Sequence, residues 1–250
     1  MLPDETSGAL LYGSGVFTTL AILNGEPFLI EKHWHRLTRD AGKIGIDMSA
    51  FAASDVKTAL TDAISGHGVT SGRARITFWD GSTPAIWSSR HDGEAFLSIL
   101  VAERRKMPSE LRIGISPHFI NSTSPLVGIK SCNYLEPLMA FDEAKSRGFD
   151  EALRLNERGE VASACMANVF WLKDERLFTP SLTTGCLAGT TREYVLENTE
   201  CEEVEAGIEA IREADEIFLT SAGIGVLTVA MFEGKNLKNT GHPITKVLPF

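Results

Sequence analysis

The stretch Ile129-Lys130-Ser131-Cys132-Asn133-Tyr134-Leu135 places one lysine between an apolar segment and the expected start of a helix. Leu126-Val127-Gly128-Ile129 precedes the lysine, and an amine in such surroundings is costly unless it has a function or reaches solvent. Burial lowers the pKa of a lysine and makes its amine nucleophilic towards carbonyl groups. A surface lysine at a strand end is the plain alternative, and Lys130 considered alone favours that alternative.

Other stretches have the composition of an anion site. Leu187-Ala188-Gly189-Thr190-Thr191-Arg192 opens a predicted helix with free backbone N–H groups and two hydroxyls, which suits a phosphate. Thr220-Ser221-Ala222-Gly223 would add donors at a strand end, and Arg36 would add a bidentate pair. An ordinary capped helix, a plain turn and a solvated arginine are the respective alternatives. An amine together with an anion site favours a phosphate-bearing carbonyl cofactor, and pyridoxal 5′-phosphate (PLP) fits.

The overall composition limits the possible partners. The 250 residues are 43% hydrophobic and 23% charged, which is typical of a globular protein with a sizeable core. The net charge of -9 argues against nucleic acid or an anionic membrane as the main partner. A basic pocket for a small anion can still exist on an acidic protein.

The cysteines and the hydropathy pattern point to a cytoplasmic protein. No two of the four cysteines form a C-x-x-C pair, and no histidine cluster accompanies them, so no metal site is expected and reduced thiols are favoured. No apolar run is long enough for a transmembrane helix, and Met1-Leu2-Pro3-Asp4-Glu5 does not resemble a signal peptide.

Short strands mixed with helices on both sides of a polar linker predict an α+β fold of two lobes. Asn24-Gly25 predicts a hairpin turn with residues 28–30 as its return strand, and an apolar stripe predicts a helix from about Ile30 to Ile44. The predicted domains are residues 1–120, a linker at 121–126, and residues 127–250. The segment 80–93 is expected to be mobile.

The order of these motifs resembles the fold-type IV PLP enzymes, which include branched-chain aminotransferase, D-amino-acid aminotransferase and 4-amino-4-deoxychorismate lyase. The resemblance extends from about Leu11 to the C-terminus. It implies a D-amino-acid-aminotransferase-like fold with a smaller N-terminal α/β lobe and a C-terminal β-rich pseudo-barrel lobe. It also implies a homodimer and a small, amino-acid-like substrate. The matching pieces are Tyr12–Phe17, His33–Leu37, Lys130–Tyr134, Gly148–Ala152, Asn168–Phe170, Phe178–Pro180 and Gly189–Arg192.

The resemblance also assigns roles to individual residues. Lys130 matches the lysine that binds the cofactor aldehyde and moves a proton, and Tyr12 matches a tyrosine near the substrate. Leu187 matches the apolar residue packed on the pyridine ring. The residues that match the phosphate ligands are Arg36, Thr190, Thr191, Ser221 and Ala222.

Three departures qualify the resemblance. The family's glutamate at the pyridine nitrogen is Ser163 here, and a serine predicts a neutral nitrogen and a weaker electron sink. The arginine-glycine pair that often follows the strand of the first lobe reads Asp80-Gly81. The chain also begins late, without the family's usual first strand.

The predicted function is a PLP-dependent lyase resembling 4-amino-4-deoxychorismate lyase, which eliminates pyruvate and leaves 4-aminobenzoate for folate biosynthesis. The Lys-Ser-x-Asn spacing, the short chain and Ser163 favour this reaction. The alternatives are an aminotransferase of D-amino or branched-chain amino acids, and a degenerate PLP-binding protein with little turnover.

Overall fold

The computed structural model describes residues 7–81, 94–104 and 106–249, so most of the predicted mobile segment 80–93 lies outside the described residues. The chain divides into two compact units. The first contains Met1–Arg105 and Ile129–Tyr134, and the second contains Lys106–Gly128 and Leu135–Phe250. In the described part of the chain, no helix has the length and apolar character needed to cross a membrane.

This division differs from the predicted boundary at residues 121–126. Leu111–Ile115, expected in the first domain, pairs with strands of the second unit. Residues 129–134, expected in the second domain, return to the first unit through a bridge between Val16 and Ser131. Strand pairing between residues distant in sequence decides both placements, whereas the linker prediction rested on local composition.

The first unit is a four-stranded antiparallel sheet with two long helices. The strand order is β2-β1-β3-β4, and apolar side chains of β1 and β3 form a core with both long helices. The elements are α1 (Gly8–Tyr12), β1 (Gly15–Leu23), β2 (Glu26–Pro27), α2 (Ile30–Lys43), α3 (Ala53–Gly66), β3 (Ser71–Asp80) and β4 (Ala95–Glu103).

The predicted hairpin turn is present, but the return strand is not where it was predicted. Asn24 and Gly25 both have positive φ angles, of 52° and 81°, as a tight two-residue hairpin requires. The return strand is Glu26–Pro27, and the chain enters α2 at Ile30. The apolar stripe of α2 therefore outweighs the β-type residues 28–30. The segment before β1 contains the short helix α1.

The second unit is dominated by one nine-stranded sheet with the order β10-β9-β8-β11-β12-β5-β6-β7, and β13 pairs with β12. Its elements are β5 (Leu111–Ile115), α4 (Leu135–Ser146), β6 (Glu151–Leu155), β7 (Val161–Ala164), β8 (Asn168–Lys173), β9 (Arg176–Pro180), α5 (Thr190–Asn198), β10 (Glu202–Val204), α6 (Ile208–Arg212), β11 (Glu216–Ser221), β12 (Gly225–Phe232) and β13 (Lys235–Asn236), with 3-10 turns at Leu182–Thr184 and Pro243–Lys246.

The two ends of this sheet meet. The Val161 N–H on β7 donates to the Ala206 carbonyl just beyond β10, over 2.8 Å, and Glu160 bridges Gly207. The sheet therefore curls towards closure, which satisfies backbone groups that an open edge would leave exposed. This is the β-rich pseudo-barrel predicted for the C-terminal lobe.

Candidate active site

Lys130 is held by its backbone against β1 and α2. Its carbonyl accepts from the Phe17 N–H over 2.9 Å, and its own N–H donates to Oδ2 of Asp40 over 2.9 Å. Two residues later, the Cys132 N–H donates to the Gly15 carbonyl over 2.7 Å. Asp40 itself is buried on α2. A lysine fixed in this way is not a surface residue at a strand end, so the plain alternative does not hold.

The amine of Lys130 lies in a partly aromatic environment. Its Nζ donates to the Tyr134 hydroxyl over 3.2 Å and is 4.7 Å from the ring centroids of both Phe17 and Tyr134. Burial, followed by repulsion from Arg36 and Arg75, lowers the pKa of Lys130 to about 7, with Asp40 acting in the opposite direction. The amine can therefore take up or release a proton near neutral pH.

Arg36 is fixed inside the first unit by a row of polar side chains. Its Nη2 donates to the Thr18 hydroxyl over 2.6 Å, and that oxygen is 2.6 Å from Nδ1 of His33. Burial first, and then Arg36 and Lys130, lowers the pKa of His33 well below its ordinary value. His33 is therefore neutral, and we assign the Thr18 proton to its Nδ1. Neither Thr18 nor His33 was predicted as a site residue.

Arg75 is a second cation near Lys130 that the sequence analysis missed. Its guanidinium carbon lies 3.6 Å from the Phe17 ring centroid, and its Nε donates to the Thr77 hydroxyl over 3.2 Å. On β3 the residues that alternate with Arg73 and Arg75 are buried, so both arginines point away from the core. The alternation of these arginines with small and apolar residues is visible in the sequence and could have indicated that they share one face of the strand.

Tyr12, the predicted substrate tyrosine, is the exposed last residue of α1. Gly13 follows it with φ 66°, and the Gly13 carbonyl accepts from Nδ2 of Asn133 over 3.1 Å. A side chain at position 13 would collide with Asn133, because a Cβ would lie 2.6 Å from Oδ1. The end of α1 is therefore tied to the segment that carries Lys130.

In the second unit, Asn168 brings the two predicted phosphate-binding loops together. Its Nδ2 donates to the Leu187 carbonyl over 2.9 Å, and a Cβ on Gly189 would lie 2.1 Å from its Oδ1. On the other side, Asn168 is in register with Thr220, whose strand runs on to Ser221. The turn after Leu187 and the end of β11 therefore lie beside the same residue. Asn168 lies in one of the motifs that carry the family resemblance, but no role is predicted for it from the sequence.

The polar groups of these loops fit a phosphate. The N-cap residue of α5 is Gly189, which has no side chain that could cap the helix, and buried Thr190 and Thr191 start the helix. The Thr220 hydroxyl is buried and has no hydrogen-bond partner among the described residues. A helix N-terminus and an unused buried donor are what an anionic group would satisfy. These groups of the second unit suit the phosphate of PLP, and the amine of lowered pKa in the first unit suits its aldehyde.

Ser163 lies on β7, partly buried, directly opposite Arg154 of β6. Its predicted position at the ring nitrogen of the cofactor, like the other site roles assigned by resemblance, remains a prediction. In the described part of the chain, no group of three or more His, Cys, Asp or Glu side chains is arranged to hold a metal.

Comparisons with known proteins agree with this geometry. The family model for amino-transferase class IV matches residues 15–232. Aminodeoxychorismate lyase of Bacillus subtilis is 27% identical over 95% of this chain and 84% of its own length. D-alanine aminotransferase of Bacillus licheniformis is 28% identical over 94% and 85%. A crystal structure of a branched-chain aminotransferase from Thermoproteus uzoniensis superposes with a TM-score of 0.90 at 27% identity, covering 98% of this chain and 86% of that one. These matches confirm the predicted fold class.

Proposed function

The chain belongs to the class IV aminotransferase family, and on this premise we propose that it is a PLP-dependent lyase that acts on 4-amino-4-deoxychorismate. The proposed reaction releases pyruvate and leaves 4-aminobenzoate, a folate precursor. PLP, when bound, supplies an aldehyde that joins an amine and a ring that accepts electrons. The cytoplasm is the proposed location, and the four cysteines are free thiols.

The protein's own residues have distinct roles in this proposal. Lys130 binds the cofactor aldehyde and, with a pKa of about 7, accepts and returns the proton of the substrate carbon. Arg36, anchored through Thr18, donates to the phosphate. Thr190, Thr191, Ser221 and Ala222 complete the phosphate ligands, and Leu187 packs on the ring.

The observation that favours the lyase is the pair of arginines on β3. Pyruvate and 4-aminobenzoate each carry one carboxylate, so their common precursor carries two. Arg73 and Arg75 point from the same face of β3, and Arg75 shares the Phe17 ring with Lys130. Guanidinium groups bind carboxylates in bidentate fashion, whereas a branched aliphatic side chain would require apolar residues at this face.

The proposal is tested by measuring two reactions of the same purified, PLP-supplied protein. Formation of 4-aminobenzoate from 4-amino-4-deoxychorismate should exceed amino-group transfer from D-alanine or leucine to a keto acid. Arg75→Met should raise KM for the lyase substrate at least tenfold, as expected from loss of a charge-assisted pair of about 1.5–3 kcal/mol. Lys43→Met, at an exposed position at the end of α2, should change neither reaction. Faster transamination than elimination would overturn the proposal.

The attachment of the cofactor to Lys130 is tested separately. Borohydride reduction of the yellow, PLP-loaded protein should leave the cofactor on the peptide that contains Lys130, and Lys130→Ala should remove both the colour and the labelled peptide. A label on another lysine would contradict the assignment.

An aminotransferase is the second candidate, because D-alanine aminotransferase and branched-chain aminotransferase are about as similar to this chain as the lyase is. A third candidate is a degenerate PLP-binding protein, which Ser163 keeps open. The two assays separate all three candidates. An aminotransferase would give dominant amino-group transfer, and a degenerate PLP-binding protein would be yellow and catalyse neither reaction.

We also propose that the protein is a homodimer, because α4 carries an exposed apolar face. Leu135, Leu138 and Met139 are 69%, 44% and 53% exposed, and their spacing places them on one side of the helix. Burial of one such side chain contributes about 1.5–3 kcal/mol, so three on each subunit form a substantial contact. Leu138→Glu should convert a dimer to a monomer in analytical ultracentrifugation. Leu100→Glu, at an exposed leucine of β4, is the matched control, and a wild-type monomer would contradict the proposal.

A further inference from the structure

Arg154 and Ser163 form a directly opposed pair between β6 and β7. Opposed residues of an antiparallel pair point to the same face of the sheet, with their Cβ atoms about 5 Å apart. The register shifts immediately after this pair, between Arg154 and Leu155. Such irregularities often direct a side chain towards a site. A guanidinium therefore stands beside the serine that replaces the family's glutamate.

Arg154 is buried and held in place on several sides. Its Nε donates to the His118 carbonyl over 3.1 Å, and its Nη2 donates to the Phe119 carbonyl over 2.8 Å and to the Glu136 carboxylate. Glu136 lies in the first turn of α4 and is largely exposed. An arginine stays charged in proteins, and Glu136, which pairs with it, is largely exposed to solvent, so the guanidinium is the buried charge of this ion pair.

The carboxylates on the neighbouring segments are engaged elsewhere. Glu151 points to the other face of β6, as its position three residues before Arg154 requires, and it accepts from the N–H groups of Cys165 and Met166 over 2.9 and 3.0 Å. Burial raises the pKa of Glu151. Glu160 accepts from Arg158 and from Asn156. None of these groups takes the place of the missing glutamate at position 163.

Resting on the proposed function, we propose that Arg154 is a positioning residue that keeps the ring nitrogen of the bound cofactor unprotonated. A fixed cation next to a titrating nitrogen disfavours its protonated form, and the Ser163 hydroxyl can donate to the neutral nitrogen. The family's carboxylate would favour the opposite state. In this proposal a positive charge beside position 163 therefore takes the place of the family's negative charge, which is a larger change than the loss of one hydrogen bond.

The deciding measurement is the nitrogen NMR shift of ring-labelled PLP bound to the protein, which distinguishes neutral from protonated pyridine nitrogen. The wild type should show the neutral shift. Ser163→Glu alone should keep it, because the introduced carboxylate pairs with Arg154. Only Ser163→Glu combined with Arg154→Met should give the protonated shift. Ser163→Gln is the uncharged control of the same size.

A purely structural role for Arg154 would not produce this dependence of one substitution on the other. A protonated shift for Ser163→Glu alone overturns the inference, and this result needs no variant at Arg154 that could fail to fold. The pairing has a second readout without cofactor. On acidification, apo Ser163→Glu should lose stability relative to apo Ser163→Gln, and equal losses would overturn the pairing.

Failure of the inference can be told from failure of the proposed function. A wild-type protein that binds no PLP overturns the proposed function, and the inference falls with it. A PLP-loaded wild type with a protonated nitrogen overturns the inference alone.

Discussion

Replacing Arg75 by methionine should raise the pKa of Lys130. The Arg75 guanidinium carbon and the Lys130 amine lie 3.6 and 4.7 Å from the same Phe17 ring centroid, so they cannot be farther apart than the sum of these distances, about 8 Å. Two unit charges at about 8 Å repel by about 2 kcal/mol at an effective dielectric constant of about 20, and by about 0.5 kcal/mol in water. Both side chains are partly exposed, which favours the lower half of this range.

The expected result is a rise in the pKa of Lys130 from about 7 by about 0.4 to 0.9, because one pKa unit corresponds to about 1.4 kcal/mol. The assay is trace acylation of the apo-protein across the pH range, with the Lys130 peptide quantified by mass spectrometry. The midpoint of labelling gives the pKa directly and needs no cofactor. Methionine retains the apolar stem over Phe17, so the burial of the amine changes little.

Arg73→Met is the matched control. Arg73 has the same charge and lies on the same face of β3, about 6.6 Å farther along the strand. Its removal should move the midpoint much less than removal of Arg75. An unchanged or lowered midpoint in Arg75→Met, or an equal shift in both variants, would refute the reasoning.

Three further predictions follow from other contacts. Arg36→Met should weaken PLP binding about tenfold to a hundredfold in equilibrium titration, and unchanged affinity would place the phosphate elsewhere. Gly189→Ala would bring a Cβ to 2.1 Å from Oδ1 of Asn168, so both the urea midpoint and the affinity for PLP should fall. Gly42→Ala is the control, because a Cβ at position 42 would have no atom within 4 Å and should leave the affinity for PLP unchanged. The pKa of Lys130 is 10.5 in the unfolded chain and about 7 in the folded protein, so between these pH values the unfolded chain binds more protons. The wild type therefore gains stability as the pH rises from about 7 to 10.5. The free energy of unfolding of apo Lys130→Met should therefore exceed that of the wild type by up to a few kcal/mol near pH 7, and this difference should vanish towards about pH 10. Urea unfolding measures it, and a difference that does not change with pH would contradict the prediction.

Local patterns predicted the elements whose cause is local. The apolar stripe of α2 and the Asn24-Gly25 turn could be predicted because side-chain spacing and backbone preference act within a few residues. The small-residue segment Leu187–Arg192 predicted the start of a helix, and α5 begins within that segment, at Thr190. Residues 28–30 show where prediction from local patterns fails. Three β-type residues do not form a strand here, because the apolar stripe of a helix begins among them.

The rest of the site depends on contacts between residues far apart in sequence. Asn168 joins two loops only because β8 and β11 pair in that register. The cation at Arg154 becomes relevant to Ser163 only because β6 and β7 place them opposite each other. No spacing in one sequence fixes a register, so these relations needed the structure. Arg75 is different, because its alternation with buried residues was visible in the sequence.

The charges around Ser163 bear on the choice between elimination and transamination. A carboxylate there would keep the ring nitrogen protonated and the ring a strong acceptor of electrons. In the arrangement proposed above, Ser163 with Arg154 opposite would favour a neutral nitrogen and a weaker acceptor. Transamination depends on the stronger acceptor, because electrons must be stored in the ring until a proton returns to the cofactor. Elimination expels a leaving group and needs less stored charge. Arg73 and Arg75 independently favour a substrate with two carboxylates. Two features from different parts of the chain therefore support the same reaction, and neither would help an aminotransferase of branched-chain amino acids.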